Sequence, residues 1–430
     1  MKKFTSIICA LIATMAVQAQ QTLHICDGFK STPLTLGTND GITFSEDYKK
    51  LLVGDFRYSM SDIDSITVDE PVFRKVTITY SGSEATVDVP SFVKGLSVNV
   101  SGANVSIINT NTTDEVLYYV SGKSSNGSLS ITGEYKLTLA LAGLTLTSTS
   151  NKAPIDIECG KRIGVILVDG TTNTITDAAS NTSKGAFYTS GHAEFEGGGT
   201  LNITGKAKHA LCVKEYLQFK KSTGTINILG AASDGIHCGK GKVNDDNSHL
   251  QINGGDITVS NAGSDCIDCD DYGCAFIKGG KLTLNVSQAE GTGLKVDSCI
   301  YMTDGDITIN VTGNVSEGIR ASYAAYFDGG KITETVAGNG SRGIRSKKTT
   351  KTTDKVLNGG YMEFNGTTAD ITVTGGVNAS DNTVCYGIKA DTQFKQTAGT
   401  ITITVNSSDS STKAYNFKSD VSTGGTLSVK

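Results

Sequence analysis

Gly255-Asp-Ile-Thr-Val259 and Gly280-Lys-Leu-Thr-Leu284 share a pattern that returns as Gly305-Asp-Ile-Thr-Ile309 and Gly330-Lys-Ile-Thr-Glu334. The four segments align without gaps, and each begins 25 residues after the one before it. Apolar and polar residues alternate within each segment, as they do in a β-strand with one buried face. A strand pattern that returns at such a fixed period is typical of a solenoid, in which every repeat packs on its neighbours.

Two more short strands complete each period. One is of the type Ile267-Asp-Cys269 and the other of the type Ala275-Phe-Ile277, and glycine-rich corners separate them. Three strands in each 25-residue period predict an all-β fold, a right-handed parallel β-helix. Its coils would stack about 4.8 Å apart, in the direction of the strand-to-strand hydrogen bonds.

Residues one period apart become vertical neighbours in such a fold. The alternation predicts two buried stacks, which are Ile257, Leu282, Ile307 and Ile332, and beside them Val259, Leu284 and Ile309. On the outer face, a row of threonines is flanked by Asp256, Lys281, Asp306 and Lys331, whose charges alternate in sign. Opposite charges on neighbouring strands stabilise the pairing by roughly 0.2–1 kcal/mol each, so this ladder is interpreted as structural.

Composition excludes several classes of protein. Charged residues make up only 19% of the 430 residues and glycine is frequent, with 50 copies, which argues against a coiled coil. Short alternating apolar runs argue against disorder. No apolar stretch after residue 20 reaches the roughly 20 residues of a bilayer crossing, so we expect no membrane span. The net charge of −5 makes a nucleic-acid partner improbable.

The amino-terminal residues have the pattern of an export signal. Lys2 and Lys3 precede an apolar run at residues 4–17, and Ala19 ends a small-residue cleavage site. We therefore expect residues 1–19 to be removed and the chain to be periplasmic, surface-bound or secreted. The remaining divisions are a small β module at 20–70, lead-in strands or a cap at 72–115, and the β-helix at 116–430.

Nine cysteines lie beyond residue 19, and an odd number leaves at least one free or paired between chains. The repeat stacks Cys238 on Cys269 and Cys274 on Cys299. Core filling and a cross-coil disulfide both fit this stacking. A zinc site is less favoured, because zinc usually takes four converging ligands that come as two paired motifs.

Four segments in the middle of the chain carry a family resemblance. They are Ala153-Pro-Ile-Asp-Ile157, Val165-Ile-Leu-Val-Asp-Gly-Thr-Thr-Asn-Thr-Ile-Thr-Asp177, Gly185-Ala-Phe-Tyr188 and Ser233-Asp-Gly-Ile-His237. With these segments, residues 72–430 resemble the secreted bacterial carbohydrate-binding domain-containing proteins, which share a fold with pectate lyases of the β-helix type. The resemblance implies polysaccharide binding, with cellulose or pectic acid as targets, and bound calcium. It does not imply catalysis.

Acidic residues gather at one corner of the predicted coils. They are Asp234, Asp265, Asp268, Asp270, Asp271 and Asp297. Carboxylates in register on adjacent strands repel each other, and a hard cation would reverse that effect. Ca²⁺ takes six to eight oxygen ligands in a flexible geometry, so the corner is a predicted calcium site. The alternative is a solvated acidic corner whose charges point apart. Two coils depart from the family's usual acidic pattern, at Arg342 and at Gly291-Thr-Gly-Leu294. These departures argue against a metal site that uses those coils.

The residues at the outward position of the second strand differ in charge from coil to coil of the predicted β-helix. In order, the residues are Tyr188, Cys212, His237, Asp268, Lys295, Arg320, Arg345 and Lys389. Stacked cations suit an anionic polymer, since arginine can bind a carboxylate through two hydrogen bonds. His237, Lys295, Arg320 and Arg345 are therefore predicted glycan contacts. Alternatively, Glu317 and Glu290 neutralise the cations locally.

Three aromatic residues occupy the outward position of the third strand. Phe276, Tyr301 and Tyr326 are 25 residues apart and should lie one above another. Their rings could stack on sugars, or they could stack only on each other and stabilise the coils.

Three functions remain open from these residues. The first is a secreted polysaccharide-binding protein without turnover, calcium-dependent and directed at acidic or cellulosic glycans. The second is a uronate lyase that uses calcium, with Lys295 or Arg320 as the base; such a base would need a lowered pKa. The third is a surface adhesin or structural protein with no glycan ligand.

Overall fold

The computed structural model describes residues 22–27, 30–35, 42–45, 47, 49–53, 56–63, 65–68, 74–239, 249–270, 272–348 and 359–430. The predicted signal segment at 1–19 and the predicted metal ligand Asp271 lie outside these ranges. The described residues form strands, turns and irregular segments without any helix, so the all-β prediction is confirmed. Consequently, these ranges hold no helical segment with the length and apolarity that a bilayer crossing requires.

The strands are short and follow one another closely along the chain. In chain order they are β1 (Thr22–Asp27), β2 (Lys30–Thr35), β3 (Ile42–Phe44), β4 (Lys50–Val53), β5 (Phe56–Ser59), β6 (Ser65–Val68), β7 (Lys75–Ser81), β8 (Glu84–Asp88), β9 (Leu96–Ser101), β10 (Asn104–Asn109), β11 (Val116–Ser124), β12 (Ser128–Gly133), β13 (Leu137–Thr147), β14 (Ile155–Cys159), β15 (Ile163–Leu167), β16 (Thr172–Thr176), β17 (Gly185–Thr189), β18 (Ala193–Glu196), β19 (Thr200–Gly205), β20 (His209–Val213), β21 (Leu217–Phe219), β22 (Thr225–Ala231), β23 (Ile236–Cys238), β24 (Leu250–Ile252), β25 (Asp256–Val259), β26 (Ile267–Cys269), β27 (Ala275–Val286), β28 (Thr292–Val296), β29 (Cys299–Val311), β30 (Glu317–Ala321), β31 (Ala324–Phe327), β32 (Lys331–Val336), β33 (Arg342–Ser346), β34 (Tyr361–Val373), β35 (Tyr386–Ala390), β36 (Gln393–Val405), β37 (Lys413–Phe417) and β38 (Thr426–Val429).

The first six strands form two small antiparallel sheets. Strand β1 pairs with β2 and β6, and β4 pairs with β3 and β5. A small apolar core of Leu23, Ile25, Leu34, Leu51 and Val53 holds them, separate from the core of the later strands.

The later strands form two long sheets, which we call sheet I and sheet II. Sheet I has 13 strands, from β9 and β10 at one end to β37 at the other. Sheet II has 19 strands and contains the Gly-x-Ile-Thr-Ile segments. Pairing is parallel between successive periods, and the hairpins β7–β8 and β9–β10 add antiparallel edges. Residues 75–109 thus belong to these sheets, where lead-in or capping strands were predicted.

The register places residues one period apart side by side, as the repeat predicts. Ile257 pairs with Leu282, Leu282 with Ile307, and Ile307 with Ile332. All four side chains are buried in the main core, so this predicted stack is confirmed. The neighbouring stack of Val259, Leu284 and Ile309 is confirmed as well, and it continues to an acidic residue, Glu334.

In sheet II, the predicted third strand of one period continues into the predicted first strand of the next. Strands β27 and β29 are both continuous in this way, with a register irregularity at the corner between the two parts. Gly280 and Gly305 lie at that corner with φ of +85° and +104°, a region that residues with a side chain rarely adopt. A Cβ atom on Gly280 would also lie 2.8 Å from the carbonyl carbon of Gly254. The periodic glycines therefore allow the chain to turn a corner without leaving the sheet.

Candidate functional site

One column of side chains runs along the face of sheet I that points away from the core. In register it contains Ser106, Ser130, Asp156, Tyr188, Cys212, His237, Asp268, Lys295, Arg320, Arg345 and Lys389. The residues on either side of these, such as Leu211 and Val213, belong to the core, because side chains alternate along a strand. The predicted order from Tyr188 to Lys389 is confirmed. The column also extends upstream to residues that the sequence did not point to.

The upstream part of the column lines a groove. Its volume is about 610 Å³, and hydroxyl, amide, carboxylate and ammonium groups line it. The charged lining residues are Lys152, Asp156, Glu158, Lys184 and Lys214. Lys152 and Lys184 are exposed and Lys214 is half-buried. The groove therefore offers many hydrogen-bond donors and acceptors to a polar ligand.

Asp156 lies at the floor of this groove. Burial raises its pKa to about 6, and the nearby charge of Glu158 adds to the effect. Its Oδ1 atom has no hydrogen-bond partner among the residues that the structure describes. Burial likewise raises the pKa of the Tyr188 phenol above its ordinary value, so that hydroxyl stays a donor at neutral pH. Both groups can hydrogen-bond to a ligand.

The middle of the column holds a carboxylate cluster. The structure brings together the buried side chains of Asp234, Asp265 and Asp268, three of the six predicted calcium ligands. The ammonium of Lys295 lies 3.2 Å from an oxygen of both Asp265 and Asp268. Asp270 and Asp297 lie just beyond the ends of β26 and β28, outside every group of converging ligand atoms in the described chain.

Two histidines complete the carboxylate cluster. Nδ1 of His209 lies 3.1 Å from Oδ2 of Asp234, and Nδ1 of His237 lies 3.2 Å from the same oxygen. The two imidazole rings are stacked, with centroids 4.4 Å apart. Burial lowers the pKa of His237, but hydrogen bonds to Asp234 and Asp268 outweigh it and raise the pKa to about 9. Burial lowers the pKa of His209, so the cluster contains one charged and one neutral imidazole at neutral pH.

This donor set does not fit calcium well. Both oxygens of Asp265 are engaged, since Oδ1 accepts the backbone N–H of Thr292 and Oδ2 faces Lys295. Asp234 is similarly engaged, since its Oδ1 accepts the backbone N–H of Asp265 and its Oδ2 is hydrogen-bonded to Nδ1 of His237. Ca²⁺ needs six to eight oxygens, and here cationic side chains already occupy the space between the carboxylates.

A cation cluster surrounds the downstream part of the column. Arg320, Arg345 and Lys389 belong to the column, and Arg342 and Lys347 flank Arg345 along the chain. Glu317 is only 5% exposed and lies within 4 Å of three of these side chains, with its shortest contact, 2.8 Å, to Arg345. Asp391 pairs with Arg345 at 2.9 Å and with Lys389 at 3.6 Å. The predicted role of Glu317 as a local counter-charge is confirmed, whereas Glu290 is exposed. Five cations around two carboxylates still leave a surplus of positive charge.

The aromatic ladder, made of Phe276, Tyr301 and Tyr326, lies on sheet II. Adjacent rings are 5.2 Å apart and within 10° of parallel, so the predicted stacking is confirmed. Both faces of Tyr301 are covered by its neighbours, and a sugar ring could not lie flat on it. The structure thus brings His237, Lys295, Arg320 and Arg345 together on one sheet and the three aromatic residues together on the other.

Comparison with known families decides the assignment of this chain. The model of the family described as carbohydrate-binding domain-containing protein matches residues 101–430. The chain belongs to this family. The matched residues of this carbohydrate-binding domain contain the carboxylate cluster, the cation cluster and every groove residue except Asn99.

Curated proteins and solved structures add little to this assignment. No curated protein matches the chain. Among solved structures, the chain is similar to a polysaccharide lyase-like protein from C. thermocellum, a gadolinium derivative, with 17% identity over 83% of this chain and 97% of that one. The TM-score is 0.31, which is too low for this similarity to bear on the function of the chain.

Lys295, the predicted base of a lyase, has a pKa unsuited to that role in this carbohydrate-binding domain. Burial lowers the pKa of Lys295, but the carboxylates of Asp265 and Asp268 outweigh it and hold that pKa above its ordinary value. A base needs the opposite shift, toward the working pH. Arg320 is no better suited, because a guanidinium keeps its proton in proteins.

His209 was missed by the analysis of the sequence, although a signal for it exists. It stands two residues before the core residue Leu211, as Asp234 stands two residues before Ile236, and Leu211 and Ile236 pair. Reading that corner position as a column would have placed His209 beside Asp234. The groove residues were missed for another reason, because the upstream strands do not follow a constant interval.

Proposed function

We propose that this carbohydrate-binding domain binds a polysaccharide along the outward face of sheet I and does not cleave it. The observation that carries the proposal is the groove of about 610 Å³ with its polar lining. Ligand sites in proteins are concave and use a few placed polar groups to orient the ligand. Serine, asparagine, lysine and carboxylate side chains can exchange hydrogen bonds with the hydroxyls of a sugar chain.

The same face favours an acidic polymer over a neutral one. Lys152, Lys184 and Lys214 line the groove, and the cation cluster lies farther along the same column. Arginine and lysine can pair with the carboxylate that each uronate residue carries. From Ser106 to Lys389 the column crosses eleven strands, which span roughly 50 Å. A pectic chain lying along the column would meet positive charge at both ends.

Two features of the chain belong to the same proposal. We infer that the strands wind as a right-handed parallel β-helix, because connections between parallel strands of one sheet are right-handed in about 98% of cases. We also infer that the protein is exported, on the signal pattern of residues 1–19, and so meets extracellular glycans.

The test is retention of the purified protein on polygalacturonate, cellulose and neutral polysaccharides. We expect retention on polygalacturonate that weakens with added salt, and no ultraviolet-absorbing unsaturated ends after incubation. Repeating the assay in a chelator tests the calcium dependence that the family resemblance implies.

A combined Lys152→Ala, Lys184→Ala and Lys214→Ala variant locates the binding face. We expect it to bind polygalacturonate at least about tenfold more weakly, since the loss of 1.4 kcal/mol is already a factor of ten. Lys281→Ala is the matched control, because Lys281 is an exposed lysine on sheet II. Unchanged binding by the triple variant would remove the groove from the proposal. New unsaturated ends would instead identify a lyase, and no retention on any glycan would favour an adhesin.

A further inference from the structure

We propose that His209, Asp234 and His237 bind a divalent transition-metal ion, for which zinc is the best-suited class, in the middle of sheet I. The proposal replaces the calcium that the acidic residues predict. It stands apart from glycan binding, because its residues and its test do not involve the groove.

The geometry of three ligand atoms carries the proposal. Nδ1 of His209 and Nδ1 of His237 lie 3.1 Å and 3.2 Å from the same oxygen of Asp234. Each of the three residues offers a ligand atom, and these atoms all lie within 4.8 Å of one another. Zinc bonds of about 2.0–2.1 Å to nitrogen and oxygen, arranged tetrahedrally, place neighbouring ligand atoms roughly 3.3 Å apart. The side chains therefore need only small shifts to close on an ion, which takes the place of the proton between His237 and Asp234 and releases it to solvent.

A fourth position is available next to the three ligands. Oδ2 of Asp268 lies 3.5 Å from Nδ1 of His237, and Oδ1 of Asp268 is buried without a hydrogen-bond partner among the described residues. Asp268 or a water molecule could complete a tetrahedral set. The side chain of His237 is 21% exposed, so an ion can reach the site from the outward face of sheet I.

The environment of His209 is a second observation that favours a metal ion. His209 is only 3% exposed, and its Nδ1 has no hydrogen-bond partner within the described ranges, since the nearby Asp234 oxygen is close but not aligned. A buried polar atom without a partner is costly, and most such atoms in proteins are satisfied. A metal ion at this point would satisfy the nitrogen and would keep the two stacked imidazoles in place.

The types of ligand decide the class of metal. Imidazole nitrogens with a carboxylate suit zinc, copper, iron or nickel, whereas calcium and magnesium prefer oxygen alone. Two of the three atoms here are imidazole nitrogens, and Lys295 already compensates the neighbouring carboxylates Asp265 and Asp268. Lys295 therefore compensates the carboxylates on one side of the cluster, and the two imidazoles and Asp234 on the other side remain for the metal.

The experiment is a calorimetric titration of the full chain, freed of metal with a chelator, with zinc chloride and separately with calcium chloride. We expect one zinc ion per chain, a higher melting temperature with zinc, and no response to calcium at the same concentration. Cobalt in place of zinc should give the visible absorption of a tetrahedral site without a thiolate charge-transfer band.

Variants make the test specific. His237→Gln and Asp234→Asn should each lower zinc affinity more than about 100-fold, because even residues that only support a ligand cost 10–100-fold. His192→Gln is the matched control, since His192 pairs with Glu215 away from the cluster, and Cys274→Ser tests the stacked thiols. Zinc affinity that is absent in the folded wild type, is unchanged in both cluster variants, or is lost in Cys274→Ser would overturn the proposal. Calcium binding that Asp268→Asn abolishes would overturn it in favour of the calcium site.

Discussion

The outward columns of the two sheets are built on the same vertical stacking but carry different charge sequences. On sheet II, Asp256, Lys281, Asp306 and Lys331 alternate in sign and pair in register. On sheet I, Arg320 pairs with Arg345, so like charges adjoin. In the alternating ladder on sheet II, each charge is neutralised at the surface by its neighbour of opposite sign. The like-charged column on sheet I instead depends on buried counter-charges such as Glu317. Where that compensation is incomplete, the surface is left able to bind an ion or a charged polymer.

The largest expected effect comes from removing the counter-charge of sheet I. Glu317→Gln should lower the free energy of unfolding by about 3 kcal/mol, because it removes a buried carboxylate from three half-buried guanidinium groups, of which only Arg345 keeps another partner among the described residues, Asp391. Urea denaturation measures the change. Asp256→Asn is the control on sheet II, where an exposed pair at 3.7 Å should be worth about 1 kcal/mol or less. Equal effects of the two substitutions would contradict the contrast between the sheets.

An acidic residue inside sheet II breaks the pattern of that sheet. Glu334 pairs in register with Ile309 and Ile371, is buried, and has no hydrogen-bond partner for either oxygen among the described residues. Burial raises its pKa well above the ordinary value, so the folded state holds the proton more tightly than the unfolded state. Stability from this group is therefore full below the unfolded pKa of about 4.3 and falls as pH rises toward the folded pKa.

Glu334→Met tests this pH dependence while keeping the length of the side chain. At pH 7 we expect the free energy of unfolding to rise by about 1–3 kcal/mol, since an unsatisfied buried polar group is removed. The decline of stability above about pH 4.3 that belongs to this carboxyl should also disappear. Urea denaturation at a series of pH values measures both. A variant that keeps the wild-type pH profile would show that Glu334 is solvated or paired in solution.

The smallest effect concerns the aromatic ladder. Tyr301→Ala should lower the free energy of unfolding by about 1–2 kcal/mol, because two stacked ring contacts are lost, and it should leave retention on polygalacturonate unchanged. Tyr301→Phe keeps the stacking and serves as the control. Weaker retention by a folded Tyr301→Ala protein would instead assign the ladder to glycan binding, as one interpretation of the sequence holds.

The 25-residue interval explains how much could be predicted. It predicts the stack from Ile257 to Ile332 and the ladder from Phe276 to Tyr326. The order of charges from Tyr188 to Lys389 followed instead from the recurring Ile-x-Cys type of strand, whose spacing ranges from 24 to 44 residues. It could not show that the first and third strands of each period join in one sheet, because that depends on how each corner bends. Nor could it show that Lys295 reaches the carboxylates of the preceding coil, since such contacts depend on side-chain conformation. Upstream of Tyr188 the strand pattern is weaker, and the groove became visible only in the folded chain.

Acylation of lysine side chains, followed by mass spectrometry, tests the binding face most directly. Lys152 and Lys184 are exposed in the groove on sheet I, while Lys281 and Lys331 are exposed on sheet II. The account predicts that saturating polygalacturonate slows acylation of the groove lysines several-fold and leaves the other two unchanged. Protection confined to Lys281 and Lys331, or equal protection of all four, would contradict it.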